Sequence, residues 1–192
     1  MFDTFRSRMK TWFTIGAGTI AAILVAGMLG AFGALEEPEI PSFDSGEPIE
    51  TGQWIVVPLR AFVVTDQRIF GMPVTEGTRA LVVEAEMTNR TASSTGDYHS
   101  LITLDPAISA DKASFVALTR DPHLTPELHP GMTERIAYIW MVPDTVDLPD
   151  RLPLTIRSKI YKPIDNLYGT PGWFNEHVLG RVTVPVETET AS

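Results

Sequence analysis

The apolar and polar positions of this chain follow two unlike patterns. Residues 11–35 (TWFTIGAGTIAAILVAGMLGAFGAL) contain no charged side chain. At 1.5 Å per residue they make about 37 Å of helix, more than the roughly 30 Å hydrocarbon core of a bilayer. The segment therefore predicts one transmembrane α-helix with room to tilt. From residue 53 onward the pattern changes to short runs of β-branched and aromatic residues separated by turn formers, the signature of strands. Such runs lie at 54–64, 79–89, 98–104, 114–119, 133–142, 152–162 and 179–187.

The alternation within these runs predicts which way they face. In 79–89, Val83, Ala85 and Met87 share one face while Glu84, Glu86 and Thr88 share the other, as in a half-buried antiparallel strand. Pro58, inside the first run, predicts a bulge or an edge there because proline has no amide to donate. In 133–142, Ile136, Tyr138 and Trp140 alternate with Ala137, Ile139 and Met141, so both faces are apolar. That marks a central strand, or an outer face covered by the tail. In 152–162, Leu154, Ile156, Ser158 and Ile160 line one face. No convincing amphipathic helix and no long repeat interrupts the series. The expected fold class is all-β: an antiparallel β-sandwich of about seven strands preceded by one N-terminal transmembrane α-helix.

Between the two regimes, residues 36–50 (EEPEIPSFDSGEPIE) hold three prolines and six acids without periodicity. They read as a stiff, extended tether. The expected division is a cytoplasmic N-terminus at 1–10, the helix at 11–35, an acidic Pro-rich linker at 36–51, the β-sandwich at 52–187 and a tail at 188–192.

The order of motifs in the outer domain carries a resemblance. A strand ends in a Thr-Asn turn (82–89, VVEAEMTN), and a variable loop follows. Then come a Leu-x-Pro-Gly turn (Leu128, Pro130, Gly131) and an aromatic-rich strand closing in Val142-Pro143. Over roughly 52–187 this resembles the immunoglobulin-like, telokin-like extracytoplasmic domain of bacterial envelope proteins and lipoproteins of unassigned function. The resemblance implies an adhesion or accessory module and brings no catalytic residue. The chain departs from it in lacking a lipobox and in the long segment between Lys162 and Leu179.

Charge orients the arrangement. Arg6, Arg8 and Lys10 face one acid, Asp3, before the apolar segment, while the rest of the chain carries 12 Lys and Arg against 23 Asp and Glu. By the positive-inside rule the N-terminus is cytoplasmic and the β domain extracytoplasmic in a single-pass cell-membrane protein. The rival reading, a cleaved signal peptide ending at the small residues of 31–33, needs a shorter apolar run than this one. The acidic domain repels nucleic acid. With no cysteine, disulfides, thiolate metal sites and cysteine nucleophiles are excluded.

Two stretches hold candidate contact residues. In the apolar segment Gly18, Ala22, Ala26, Gly30 and Ala34 recur every four residues, with Gly27 and Ala31 beside them. Small residues at this spacing let helix backbones approach closely in lipid. They suit packing against an integral membrane protein or a second copy of the chain. The segment 161–174 places Tyr161, Tyr168, Trp173 and Phe174 among Pro and Gly, as candidates for partner or ligand contact. The alternative is that they fold back as a plug over an open end of the core.

Catalytic patterns are missing: no Gly-x-Ser-x-Gly elbow, phosphate loop or His-Glu-x-x-His helix occurs. Asp121, His123, Glu127 and His129 cluster within nine residues but in a proline-broken stretch that matches no zinc spacing. Glu84 and Glu86 read as a solvated strand face. Asn89-Arg90-Thr91 fits a glycosylation acceptor, or Asn89 ends the strand by bonding nearby backbone.

The expectation is a non-enzymatic, cofactor-free accessory or scaffolding protein. It associates laterally with a membrane partner such as a transporter or envelope-assembly complex. A stand-alone tethered domain binding a glycan, peptide or envelope component is the alternative, and a hydrolase the third reading.

Overall fold

In the computed structural model the described residues are 24–28, 39–65, 68–108, 110, 112–121 and 127–188. Residues 24–28 are helical and belong to a unit, Met1–Glu39, separate from the domain Ile40–Ser192. Among the described residues no helix is long and apolar enough to cross a membrane. The expected span at 11–35 lies mostly outside them.

The domain is built from strands β1 (Ser42–Phe43), β2 (Ile49–Glu50), β3 (Trp54–Val64), β4 (Arg68–Ile69), β5 (Met72–Pro73), β6 (Thr78–Asn89), β7 (Ile102–Leu104), β8 (Phe115–Leu118), β9 (Thr133–Pro143), β10 (Arg151–Lys162) and β11 (Gly172–Thr188). In one layer β8, β9, β6 and β3 are antiparallel neighbours, with β2 added beside β3. The other layer has the order β7-β10-β11, with β1 parallel to β11. The last residues of β11 cross to the first layer and run parallel to β3, Val186 opposite Ala61. The result is an all-β sandwich.

Its main core lies between the layers. Trp54, Leu81, Met87, Ile136, Tyr138 and Trp140 of the first layer meet Ile102, Leu152, Leu154, Ile156 and Val184 of the second, all buried. Each such aliphatic side chain removed from water contributes about 1.5–3 kcal/mol. The bulge expected at Pro58 exists: pairing jumps from Pro58 opposite Ala85 to Arg60 opposite Glu84, leaving Leu59 extra. Because side chains alternate with period two, the extra residue reverses the facing of the later half of the strand. Before it Trp54 and Val56 point inward; after it Ala61 does, and Phe62 turns to the outer face.

That outer face explains the doubly apolar β9. The strand is central, between β6 and β8. Its outward Ala137 and Ile139 join Phe62, Ala80, Val82 and Ala117 in a second cluster. Ile69, with Phe70 and Val74, covers this cluster, so the cover is the β4–β5 hairpin and the residues after it rather than the tail. Phe70 (φ 47°) and Gly71 (φ 77°) both sit in the left-handed region, as a two-residue type I′ turn requires.

The expected tether at 36–51 is shorter than the composition implied. Its second half is docked on the sandwich: Ser42 pairs with Arg181 and Ile49 with Val56, and Ile49 is buried. Gly46 N donates to Pro58 O at 2.8 Å and Ser45 Oγ to Leu59 O at 3.0 Å. Apolar Phe43 and Ile49 gain burial, and that outweighs the preference of proline and acid for extended, solvated chain.

Candidate functional site

Strand β10 keeps its inward alternation past the end of the core. Leu152, Leu154 and Ile156 are buried, Ser158 donates to Thr51 O at 2.8 Å, and Ile160 is half exposed. From there β10 and β11 continue as a hairpin projecting beyond the sandwich, with Ile160 opposite Phe174, Tyr161 opposite Trp173 and Lys162 opposite Gly172. The long segment between Lys162 and Leu179 is therefore a turn at 163–171 followed by the first residues of β11. Two register shifts break the pairing, between Ile156 and Arg157 and between Ser158 and Ile160. Asn175, at φ 55°, sits in the second, where asparagine tolerates the left-handed conformation that most residues avoid.

This hairpin brings together all four aromatic residues singled out in 161–174. Tyr161 and Trp173 meet at 5.3 Å between ring centroids, and Tyr168 stacks on Phe174 at 6.4 Å and 12°. Lys162 Nζ lies 5.5 Å from the centre of the Phe174 ring, a cation–π contact. None of the four is among the residues of the main core. Trp173 is half-buried over the backbone of Gly52, where an added Cβ would stand 3.1 Å from its ring. Tyr161 and Tyr168 stay exposed, with Ile160, Ile164, Leu167 and Val178. Leu167 is 80% and Ile164 70% exposed. Elsewhere in the domain the exposed large apolar residues described are two, Ile40 and Met132, so exposed apolar surface concentrates on this hairpin.

The turn is held by a residue the sequence reading passed over, Asp165. Its Oδ1 accepts the amides of Leu167 at 2.9 Å and Tyr168 at 3.1 Å, and its Oδ2 is 3.4 Å from Lys162 Nζ. Its own amide donates to Thr170 O at 3.0 Å, and Gly169 N donates to Asp165 O at 2.7 Å. The Leu167 amide above all holds the carboxyl below the ordinary aspartate value, against the cost of burial, with Tyr168 and Lys162 adding to it. The signal was an Asp two residues after a proline, a common turn former.

A collar of charge separates the tip from the core. Lys159 Nζ is 2.5 Å from Asp97 Oδ1, and Ser100 Oγ donates to Glu176 Oε2 at 2.5 Å. Arg157 Nε stands 2.8 Å from Glu176 Oε1, a contact of charges without hydrogen-bond alignment. Burial works to raise the Glu176 pKa. The Ser100 hydrogen bond and the charges of Arg157, Lys112 and Lys159 outweigh it and hold the carboxyl below its ordinary value. Every acid of the collar has a cation or hydroxyl against it.

The other candidates separate in space. Gly18, Ala22, Gly30 and Ala34 lie outside the described residues; Ala26 is helical and half-buried. His123 lies outside them too, and His129 Nδ1 is 2.6 Å from Ser94 Oγ. Among the described residues no three His, Asp or Glu side chains converge as metal ligands. Glu84 is not on a solvated face: it is buried and bonded by Arg60 Nε at 3.0 Å, while Arg60 also reaches Glu187 at 2.7 Å. Glu86 does face water, 3.1 Å from Arg135.

Asn89 is fully buried, which rules out a glycan there in the folded domain. Its Nδ2 donates to Ser93 O at 2.8 Å and Leu128 O at 2.7 Å, and its Oδ1 accepts from the amide and the hydroxyl of Thr91, each at 2.8 Å. Its carbonyl accepts Gly131 N at 2.8 Å. The Thr-Asn turn and the Leu-x-Pro-Gly turn are thus two halves of one junction.

No protein-family model and no curated protein matches the chain. An uncharacterised β-sandwich protein from Clostridium difficile of solved structure is similar to it at 11% identity and a TM-score of 0.42. That likeness covers 79% of this chain and 98% of the other, and nothing about function is taken from it.

Proposed function

We propose that the protein is a membrane-anchored, extracytoplasmic accessory or scaffolding module of the immunoglobulin-like, telokin-like kind, and not an enzyme. The observation that carries this reading is the β10–β11 hairpin, which presents Ile164, Leu167 and Tyr168 to solvent on a turn wired by Asp165. Exposed apolar side chains on a built turn favour contact over chemistry. The strand order supports the fold half of the reading. With β3, β6, β7, β8, β9, β10 and β11 taken as A to G, the layers become A-B-E-D and C-F-G, the constant-type immunoglobulin arrangement. The Asn89 junction supports it as well, since it joins the two turns on which the resemblance rests.

In this reading residues 11–35 span the cell membrane with the N-terminus cytoplasmic, and the Gly18, Ala22, Ala26, Gly30 and Ala34 row packs beside a membrane partner or a second copy. The test replaces Gly18, Ala22, Ala26 and Gly30 with Leu in the full chain and measures co-purification of a differently tagged copy and of membrane partners in detergent. Loss of both supports helix packing; undiminished recovery removes it. A second reading, a tethered domain that binds a glycan, peptide or envelope component by itself, is favoured by the paired Tyr161 and Trp173 rings. It predicts that Trp173→Ala abolishes ligand binding while circular dichroism stays unchanged.

A further inference from the structure

We infer that the tip of the β10–β11 hairpin seats in the headgroup region of the bilayer that anchors the chain. The inference deepens the reading above and rests on residues 11–35 being a membrane span.

The direction of the chain is the first argument. β1 runs parallel to β11, with Ser42 opposite Arg181 and Arg181 N donating to Pro41 O at 2.8 Å. Followed backward from Ser42, the chain therefore leaves the sandwich toward the start of β11, which is the end that carries the tip. Reach is the second argument. From Ile40 back to Leu35 there are five residues, which span at most about 18 Å fully extended. From the level of Gly180, opposite Ile156, to Lys162 the hairpin advances six residues along β10. At about 3.4 Å per residue that is roughly 20 Å, before the turn itself is counted. So short a tether keeps a bilayer that holds residues 11–35 within reach of a hairpin projecting in that direction.

Composition is the third argument. The protein carries a net charge of −9, yet residues 160–174 hold one Lys and one Asp, and these two are paired with each other. The tip is thus a neutral island on an acidic molecule. Neutrality removes the repulsion that the rest of the domain feels at an anionic surface. Tyr161, Tyr168 and Trp173 are the residue types that settle at membrane–water interfaces, and Ile164 and Leu167 can enter the acyl boundary beneath them.

The chain has no cysteine, so one introduced thiol is unique. Leu167→Cys and, as control, Thr145→Cys before the opposite end of β10 carry an environment-sensitive fluorophore in the full chain, reconstituted in phosphatidylcholine vesicles. The expected result is a blue-shifted emission at 167 that headgroup-labelled quencher lipid suppresses, with neither effect at 145, and reversal of the shift by Ile164→Asp. A water-like emission at 167 in a chain that stays with the vesicles through an alkaline wash overturns the inference and leaves the anchor standing. A blue shift at 167 that lipid quencher does not touch overturns it in favour of a protein contact. A chain that washes off the vesicles overturns the anchor, and the inference falls with it.

Discussion

Two Asx residues organise two turns at the same end of this domain, and they do so in opposite surroundings. Asn89 ends β6 in full burial, with four side-chain hydrogen bonds that close one junction between two turns. Asp165 wires the β10–β11 turn through two backbone amides, at the root of side chains that are mostly in water. The same local chemistry serves stability in one place and display in the other. Around Asn89 one bond, to Leu128 O, is fully buried and the others tie a partly buried turn, so their joint loss falls on packed structure. Around Asp165 water can replace what is lost, so the turn loosens while the sandwich stays folded.

The largest expected effect comes from that asymmetry. Asn89→Ala removes all four bonds at once, although the carbonyls of Ser93 and Leu128 keep the Thr91 hydroxyl and the Thr95 amide as donors. At about 0.5–1.5 kcal/mol net for each of the four bonds, the loss should reach about 2 kcal/mol or more. The urea midpoint of the variant should fall accordingly with an unchanged m-value. A loss below about 1 kcal/mol would show that water already reaches the junction.

Tyr138→Phe should come next. The Tyr138 hydroxyl donates to Tyr98 O at 2.7 Å inside the aromatic end of the core, where Trp54 meets Tyr98 edge-on at 5.4 Å. Burial holds the phenol well above its ordinary pKa, so it stays a neutral donor throughout the working pH range. Removing it should cost about 1 kcal/mol in the same measurement. No change would mean that the Leu101 amide, which donates to the same carbonyl at 3.1 Å, satisfies it alone.

Asp165→Ala should scarcely move the global midpoint but should speed amide exchange at Leu167 and Tyr168. The wild-type turn should show the same loosening with acid. The folded pKa of Asp165 lies below its unfolded value, so its contribution is fully present above the ordinary aspartate pKa and is lost as pH falls through the folded value. The Asn89 amide does not titrate, so the junction should keep its protection across that window. Equal loss of protection at both turns would show that the two are not held differently.

The smallest effect on stability belongs to Leu167→Ser. An 80% exposed side chain has little burial to lose, so the midpoint should stay within about 0.5 kcal/mol. A larger loss would mean that Leu167 packs against the domain in solution and that the tip is a plug after all.

The core strands were legible because their environment is uniform. β3, predicted at 54–64, is Trp54–Val64, and β6, β9 and β10 agree with their predicted ranges to within one residue. Alternation reports burial wherever a strand has one wet and one dry face. The bulge at Pro58 was legible because a missing amide cannot continue a ladder. The short strands β1, β2, β4 and β5 escaped because two residues carry no period. The four aromatic residues near the tip could be named in advance, whereas Asp165, which holds their turn, could not be told from any other loop acid.

What the sequence by itself determined is the class of the domain and the inward face of its strands, since a period of two and a turn every ten or so residues leave few other ways to bury apolar side chains. Tertiary structure alone decided three things. It docked Ile49 and Phe43 of the acidic segment onto the sandwich, placed the β4–β5 hairpin over β9, and carried β10 and β11 past the core so that Ile160 left it. Each depends on contacts between residues far apart in the chain, and local pattern records which side chains seek burial but not which surface is there to receive them.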